Sequence, residues 1–148
     1  MKMKKITLIL SFAILQIISF SVMSESGQQF NARTGDIIWS DQVGEEGETI
    51  VHLYVYWSLT CPHCERALPY VKNLSKRYPW VKLHLREVSK NQKHLVSLHQ
   101  MAEILDEPSF GEVPAFFFCG LMYTGYGEDD TTGQWIEDTL VECRDNSI

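Results

Sequence analysis

Positive charge is scarce in this chain and nowhere concentrated. Lys and Arg number 13 against 19 Asp and Glu, the formal net charge is −6, and no Lys/Arg-rich block occurs. A protein that tracks a phosphate backbone needs such a block, so nucleic acid is not an expected partner. Internal repeats and low-complexity tracts are missing as well. With 148 residues, one domain is expected and little is left for a second. Metal spacing is also lacking. Cys-x-x-Cys occurs once and His-x-x-x-His not at all, whereas a structural zinc site normally needs a second ligand pair. His52, His84, His94 and His99 form no ligand spacing, and no calcium-loop pattern surrounds Asp129-Asp130 or Glu45-Glu46. Neither a metal nor a cofactor is expected. What is present is ordinary globular composition, 45% apolar and 22% charged.

Ile6 to Met23 runs without a charge, and Lys2, Lys4 and Lys5 precede it. Ser24 follows, with small Val22 two residues before it. A basic start, an apolar run and a small-residue cut site form the layout of a secretory signal over residues 1–24. Ser21 and Ser26 are alternative cut points. A retained membrane anchor is the other reading, since eighteen uncharged residues sit at the lower limit for a span. Loss of three lysines and no acid would take the charge to −9. Such a surface favours solubility and disfavours anionic lipid. All four cysteines lie beyond this segment. An even count in an exported chain suggests two disulfides among three possible pairings.

Residues 25–49 read as a polar lead-in, with Ile37-Ile38-Trp39 a short edge strand. Ile50 to Trp57 is an eight-residue run of β-branched, aromatic and apolar residues, which predicts a buried strand. Ser58-Leu59-Thr60 ends it. Pro62 suits the first turn of a helix, and Ala67, Leu68, Val71, Leu74 and Tyr78 follow at helical spacing. Pro69 should kink that helix, and Pro79 closes it. Val81, Leu83 and Leu85 alternate with polar residues and predict a half-exposed strand. Leu95, Leu98, Ala102 and Leu105 mark a second helix, with Asn91 as a cap. After a loop over 106–112, Val113 to Phe118 reads as a strand, Cys119-Gly120 as a hairpin turn and Leu121 to Tyr126 as its return. An acidic loop runs from Gly127 to Gly133, and Trp135, Ile136, Thr139, Leu140 and Cys143 mark one face of a last helix. The fold class is α/β, a central mixed sheet flanked by helices over residues 50–148.

Cys61-Pro62-His63-Cys64 sits where the buried strand hands over to a helix. A buried structural disulfide is one reading of such a pair, but its position points to chemistry. Unpaired N–H groups and the positive end of the helix dipole favour a thiolate at Cys61, which makes that sulfur the nucleophile. Cys64, one turn later, can close on it and resolve a mixed disulfide.

A strand-to-helix Cys-x-x-Cys with a later strand proline resembles the thioredoxin superfamily, over about residues 50–143. Trp57, four residues before Cys61, sits where thioredoxins keep a Trp, and Pro69 matches their helix-kinking proline. Gly111-Glu112-Val113-Pro114-Ala115 looks like the cis-proline strand of periplasmic Dsb proteins. The resemblance implies a thioredoxin-like fold, a cis Val113–Pro114 bond, and a substrate-binding role for Val113 and Pro114 beside catalytic Cys61 and Cys64. Val55 stands where many thioredoxins hold a buried acid, so proton transfer from Cys64 would need water or another group. In the same frame Cys119 and Cys143 fall at the end far from the motif. There they would form a structural disulfide between hairpin turn and last helix, or a second redox relay.

Pro62 and His63 tune the motif. Pro-His is the pair of DsbA-type oxidants. A protonated His63 would stabilise the Cys61 thiolate, hence the reduced form, and make the disulfide more oxidising. The known range runs from about −120 mV for DsbA to about −270 mV for thioredoxin. Against this, only 49 residues separate Cys64 from Pro114, too few for the helical insertion of DsbA-type oxidants, and Pro69 resembles small exported reductases. The expected function is a protein thiol-disulfide oxidoreductase, with oxidant ahead of reductase and isomerase third. Copper(I) binding by Cys61, His63 and Cys64, or a redox-inert binding role, are the alternatives. The expected partners are exported cysteine-containing clients and a membrane redox protein that recycles the dithiol. The expected place is a bacterial periplasm, or else a eukaryotic secretory lumen.

Overall fold

In the computed structural model, residues 32–34, 37–43, 47–108 and 111–146 are described. The expected signal over residues 1–24 lies outside them. Among the described residues no helix is long and apolar enough to cross a membrane.

The architecture is mixed α/β. In chain order come β1 (Ala32–Thr34), β2 (Ile37–Val43), β3 (Glu48–Trp57), α1 (Pro62–Arg77), β4 (Val81–Glu87), α2 (Gln92–Ile104), β5 (Ala115–Phe118), β6 (Leu121–Thr124), a π-helical turn (Asp129–Gly133) and α3 (Gln134–Asp145). β3 is the centre of the six-stranded sheet. On one side it pairs in parallel with β4, Val51 opposite Val81 through Trp57 opposite Glu87. Along its other side it pairs antiparallel with β2 near its start and with β5 near its end. β1 and β6 extend the sheet beyond β2 and β5.

The largely apolar run in β3, interrupted by His52, follows from burial of both its faces. Val51, Leu53 and Val55 pack with Ala67, Val71 and Leu74 of α1 and Ile136 and Leu140 of α3. Tyr54 and Tyr56 point the other way, to Leu98, Met101 and Ala102 of α2. The result is three layers: α1 and α3, sheet, α2. On α1 the buried positions are Cys64, Ala67, Val71 and Leu74, the i, i+3, i+4 spacing of a core-facing stripe. The helix is continuous through exposed Pro69. Asn91 caps α2, accepting from the backbone N–H groups of Lys93 and His94.

α3 is bound to α1 by Glu137. Its carboxylate accepts from Arg77 at 2.6 and 2.9 Å, from the Tyr70 hydroxyl at 2.8 Å and from the Tyr78 hydroxyl at 2.7 Å. Arg77 foremost, with the two tyrosines, holds this acid at about 2. The β5–β6 turn is Cys119-Gly120, with φ of 53° and 76°, as a two-residue hairpin turn of the I′ kind requires.

One expectation is extended and one shortened. The edge strand at Ile37-Ile38-Trp39 runs on to Val43 and hydrogen-bonds to β3, so the sheet begins within the polar lead-in. The strand expected from Val113 starts at Ala115, leaving Val113 and Pro114 as the approach to β5.

Candidate active site

The end of β3 and the start of α1 set Cys61. Its backbone is extended, with φ −98° and ψ 111°, and it is the N-cap of α1 with Pro62 in the first turn. A cap residue supplies an acceptor for the helix's orphan N–H groups. Here the acceptor is sulfur: Cys61 Sγ receives the Cys64 backbone N–H at 3.2 Å. The Cys61 carbonyl receives the Glu65 N–H at 3.1 Å.

The two thiols differ in access. Cys61 is half-buried and Cys64 is 1% exposed; neither is bonded in a disulfide. Burial first, then hydrogen bonding and charge from Cys61, push the Cys64 thiol up to about 12. Val55, three residues back on β3 from Ser58, is fully buried, so no carboxylate stands at that position to take a proton.

Val113 and Pro114 come to the same place. The Cys61 thiol donates to the Val113 carbonyl at 3.3 Å, and the Val113–Pro114 bond is cis. The Pro114 carbonyl accepts the Gly125 N–H at 2.8 Å. That bond brings the chain after β6 back across the start of α1. There the Tyr126 carbonyl lies 2.8 Å from His63 Nδ1, and Arg66 Nη2 lies 2.8 Å from the same nitrogen. Arg66 also donates to the carbonyls of Tyr126 and Gly127, both at 3.3 Å. Leu59, 46% exposed, offers an apolar side chain two residues before Cys61. Trp57 is partly buried, and its Nε1 has no hydrogen-bond partner.

Cys119 and Cys143 are disulfide-bonded, with Cα atoms 6.0 Å apart. They do not join the first pair. β5 carries the chain four residues away from Pro114, about 13 Å at strand rise, before Cys119 is reached. The other histidines are also placed elsewhere. His52 is buried, with Nε2 3.3 Å from Asp41 Oδ1 and Nδ1 3.0 Å from His84 Nε2. His94 Nδ1 lies 2.8 Å from the Glu87 carbonyl. Among the described residues no group of three or more His, Cys, Asp or Glu is arranged to hold a metal ion. A cavity of about 400 Å³ on the α2 side, lined by Tyr54, Arg86, Ser97 and Met101 among others, contains none of the motif residues.

Sequence reasoning missed Arg66 and Tyr126. Arg66 was visible in principle, three residues after His63 on one helix face. Tyr126 carried no local signal, because its carbonyl arrives from a loop more than 60 residues later in the chain. Compared with known proteins, the chain matches no family model and no curated sequence.

Proposed function

We propose that the protein is a thiol-disulfide oxidoreductase of thioredoxin-like architecture that exchanges disulfides with exported proteins through Cys61 and Cys64. The observation that carries this reading is the asymmetry of the pair: one half-exposed sulfur at a helix N-cap, and one buried thiol a turn behind it. Order of elements supports the architecture, with β3, α1 and β4 forming a parallel unit and β5 and β6 an antiparallel hairpin on the other side of β3.

In the oxidising direction a client thiolate attacks Cys61 Sγ of the Cys61–Cys64 disulfide. The S–S bond breaks, and its electron pair leaves on Cys64, which takes up a proton in its buried position. A second client thiolate then attacks the client sulfur of the mixed disulfide, and Cys61 leaves. The client loses two electrons and the protein gains them. The Val113 carbonyl, beside Cys61, is placed to meet the backbone of the client.

Reduction runs the other way and asks Cys64 to become the nucleophile. A thiol pushed to about 12, with Val55 where an acid would serve it, does this slowly. This favours the oxidant over the reductant. Export, a membrane partner that restores the disulfide and a periplasmic site belong to the same proposal.

The test is the reduction potential of the Cys61/Cys64 pair, measured by equilibration with glutathione. A value at or above about −180 mV supports a disulfide donor, and one near or below about −270 mV makes the protein a reductase. A pair that forms no reversible disulfide overturns the reading.

A further inference from the structure

His63 Nδ1 has two neighbours at the same distance that make opposite demands on it. Arg66 Nη2, 2.8 Å away, can only donate. The Tyr126 carbonyl, also 2.8 Å away, can only accept. A bare Nδ1 satisfies Arg66 and faces the carbonyl. A protonated Nδ1 satisfies the carbonyl and faces the guanidinium. One atom cannot serve both.

The remaining contacts decide between them. Arg66 Nη2 donates to the Tyr126 carbonyl itself, and Arg66 Nε donates to the Gly127 carbonyl. The Tyr126 carbonyl is therefore supplied with a proton whether or not His63 gives one. A guanidinium cannot give up its charge, so it stays a donor throughout. With Arg66 in place, the lower-energy arrangement leaves Nδ1 bare and puts the imidazole proton on Nε2. Without Arg66, the carbonyl has only His63 to call on, and both the Nδ1–H tautomer and the imidazolium gain a hydrogen bond.

We infer that Arg66 is a positioning residue that selects the tautomer of His63 and through it sets the balance between the Cys61/Cys64 dithiol and disulfide. The redox half of this inference rests on the function proposed above. Other charged and titratable groups lie close in the chain to His63 or to the Tyr126 carbonyl, and three of them line a pocket with Arg66. From α1 these are Cys61 and Glu65. From the segment after β6 they are Glu128, Asp129 and Asp130. Asp129 is engaged by the Tyr126 hydroxyl at 2.5 Å. Among the described residues, Arg66 is the charged group that donates to the imidazole nitrogen.

Two effects of Arg66 on the thiols have opposite signs, which makes the inference testable. Acting directly, its positive charge would favour the Cys61 thiolate, so its loss would make the pair less oxidising. Acting through His63, its loss lets a protonated Nδ1 bond the Tyr126 carbonyl, which favours the reduced form and makes the pair more oxidising. Arg66→Met removes donor and charge, and Arg66→Lys keeps the charge without the planar fork. Both positions 63 and 66 are exposed, and circular dichroism checks that the variants stay folded.

The experiment is a double-mutant cycle on the glutathione equilibrium constant, with Arg66→Met made in the native and the His63→Ala backgrounds of the full chain. The expected result is a shift of roughly fivefold toward the reduced form in the native background. That shift is absent or reversed beside His63→Ala. Equal shifts in the two backgrounds overturn it. A second readout needs no redox chemistry: nitrogen-15 NMR of the His63 ring in the reduced protein. The native ring should carry its proton on Nε2, and Arg66→Met should move it toward Nδ1. A ring unchanged by Arg66→Met also overturns the inference, whereas failure of Cys61 and Cys64 to form a reversible disulfide removes the proposed function and leaves the tautomer result standing.

Discussion

Cys64 gives its backbone N–H to Cys61 Sγ at 3.2 Å while its own thiol is shut away at 1% exposure. Two sulfurs a single helical turn apart therefore meet solvent on different terms. After mild reduction that spares Cys119–Cys143, iodoacetamide at pH 8 should modify Cys61 first. A thiol pushed to about 12 is about one part in ten thousand thiolate at that pH, against about a quarter for an unperturbed cysteine. Cys64 should react at least ~100-fold more slowly than a free cysteine. It should stay slow in Cys61→Ser, because burial is the larger cause and survives that change. Peptide mapping by mass spectrometry reads both rates. Labelling of Cys64 as fast as Cys61 would contradict the buried placement.

Gly133 is held by contact rather than by backbone conformation. A Cβ there would come within 2.8 Å of both the Tyr126 hydroxyl oxygen and Tyr70 Cζ. Neither ring can move cheaply: Tyr126 is 3% exposed, its hydroxyl is bonded to Asp129, and that of Tyr70 is bonded to Glu137. Alanine gains up to about 1 kcal/mol in helix propensity, but overpacking costs ~1–3 kcal/mol, so Gly133→Ala should destabilise. Urea denaturation checks the sign. Displacement of Tyr126 also moves the carbonyl that faces His63 and Arg66, so the reduction potential should shift as well.

What could be read before folding, and what could not, divides along the chain. The Ile50–Trp57 run was legible because burial on both faces of β3 keeps it mostly apolar, and the motif was legible because it stands at the end of that run. The second half of β2 was not. Ser40-Asp41-Gln42 looks like solvated chain, yet Ser40 is 1% exposed and Asp41 meets His52 across the hairpin. Those polar residues take their role from β3. The His52–His84 contact depends on the parallel register of β3 and β4, in which Tyr54 faces His84 and His52 faces Lys82. No pattern within either strand reveals that offset. The same holds for the Tyr126 carbonyl at His63. The place of Cys61 at the helix start was set by local rules, and the groups around His63 by tertiary placement.

That register carries a pH dependence. Burial, then the charges of His52, Arg86 and Lys82, lower His84 to about 4. Burial lowers His52 as well, against the pull of Asp41. Both are ordinary histidines near 6.5 when unfolded. Between about pH 4 and 6.5 the unfolded chain thus binds more protons than the folded one, and stability rises with pH across that window and levels off above it. Allowing for solvent screening at these partly accessible rings, the protein should be about 1 kcal/mol less stable at pH 5 than at pH 7.5. His84→Phe keeps a ring against Tyr54, whose centroid is 4.4 Å away, and removes the titration. Urea midpoints at the two pH values should then move closer together. An unchanged gap would place the dependence elsewhere.

The disulfide should be separable from the chemistry. Cys119–Cys143 closes a loop across a sequence separation of 24, which stabilises by about 3 kcal/mol in the chain-entropy model. It ties the β5–β6 turn to the last turns of α3, at the end of the sheet away from Cys61. Its removal needs some care, because Cys119 has φ 53°. Alanine would keep the left-handed cost of about 1–2 kcal/mol that cysteine already bears, whereas asparagine tolerates that conformation. Cys119→Asn with Cys143→Ala should lower stability by about 3 kcal/mol and leave the glutathione equilibrium of Cys61/Cys64 unchanged. A potential that moves with this double substitution would mean that the two pairs exchange electrons, and Cys119–Cys143 would then be a relay rather than a brace.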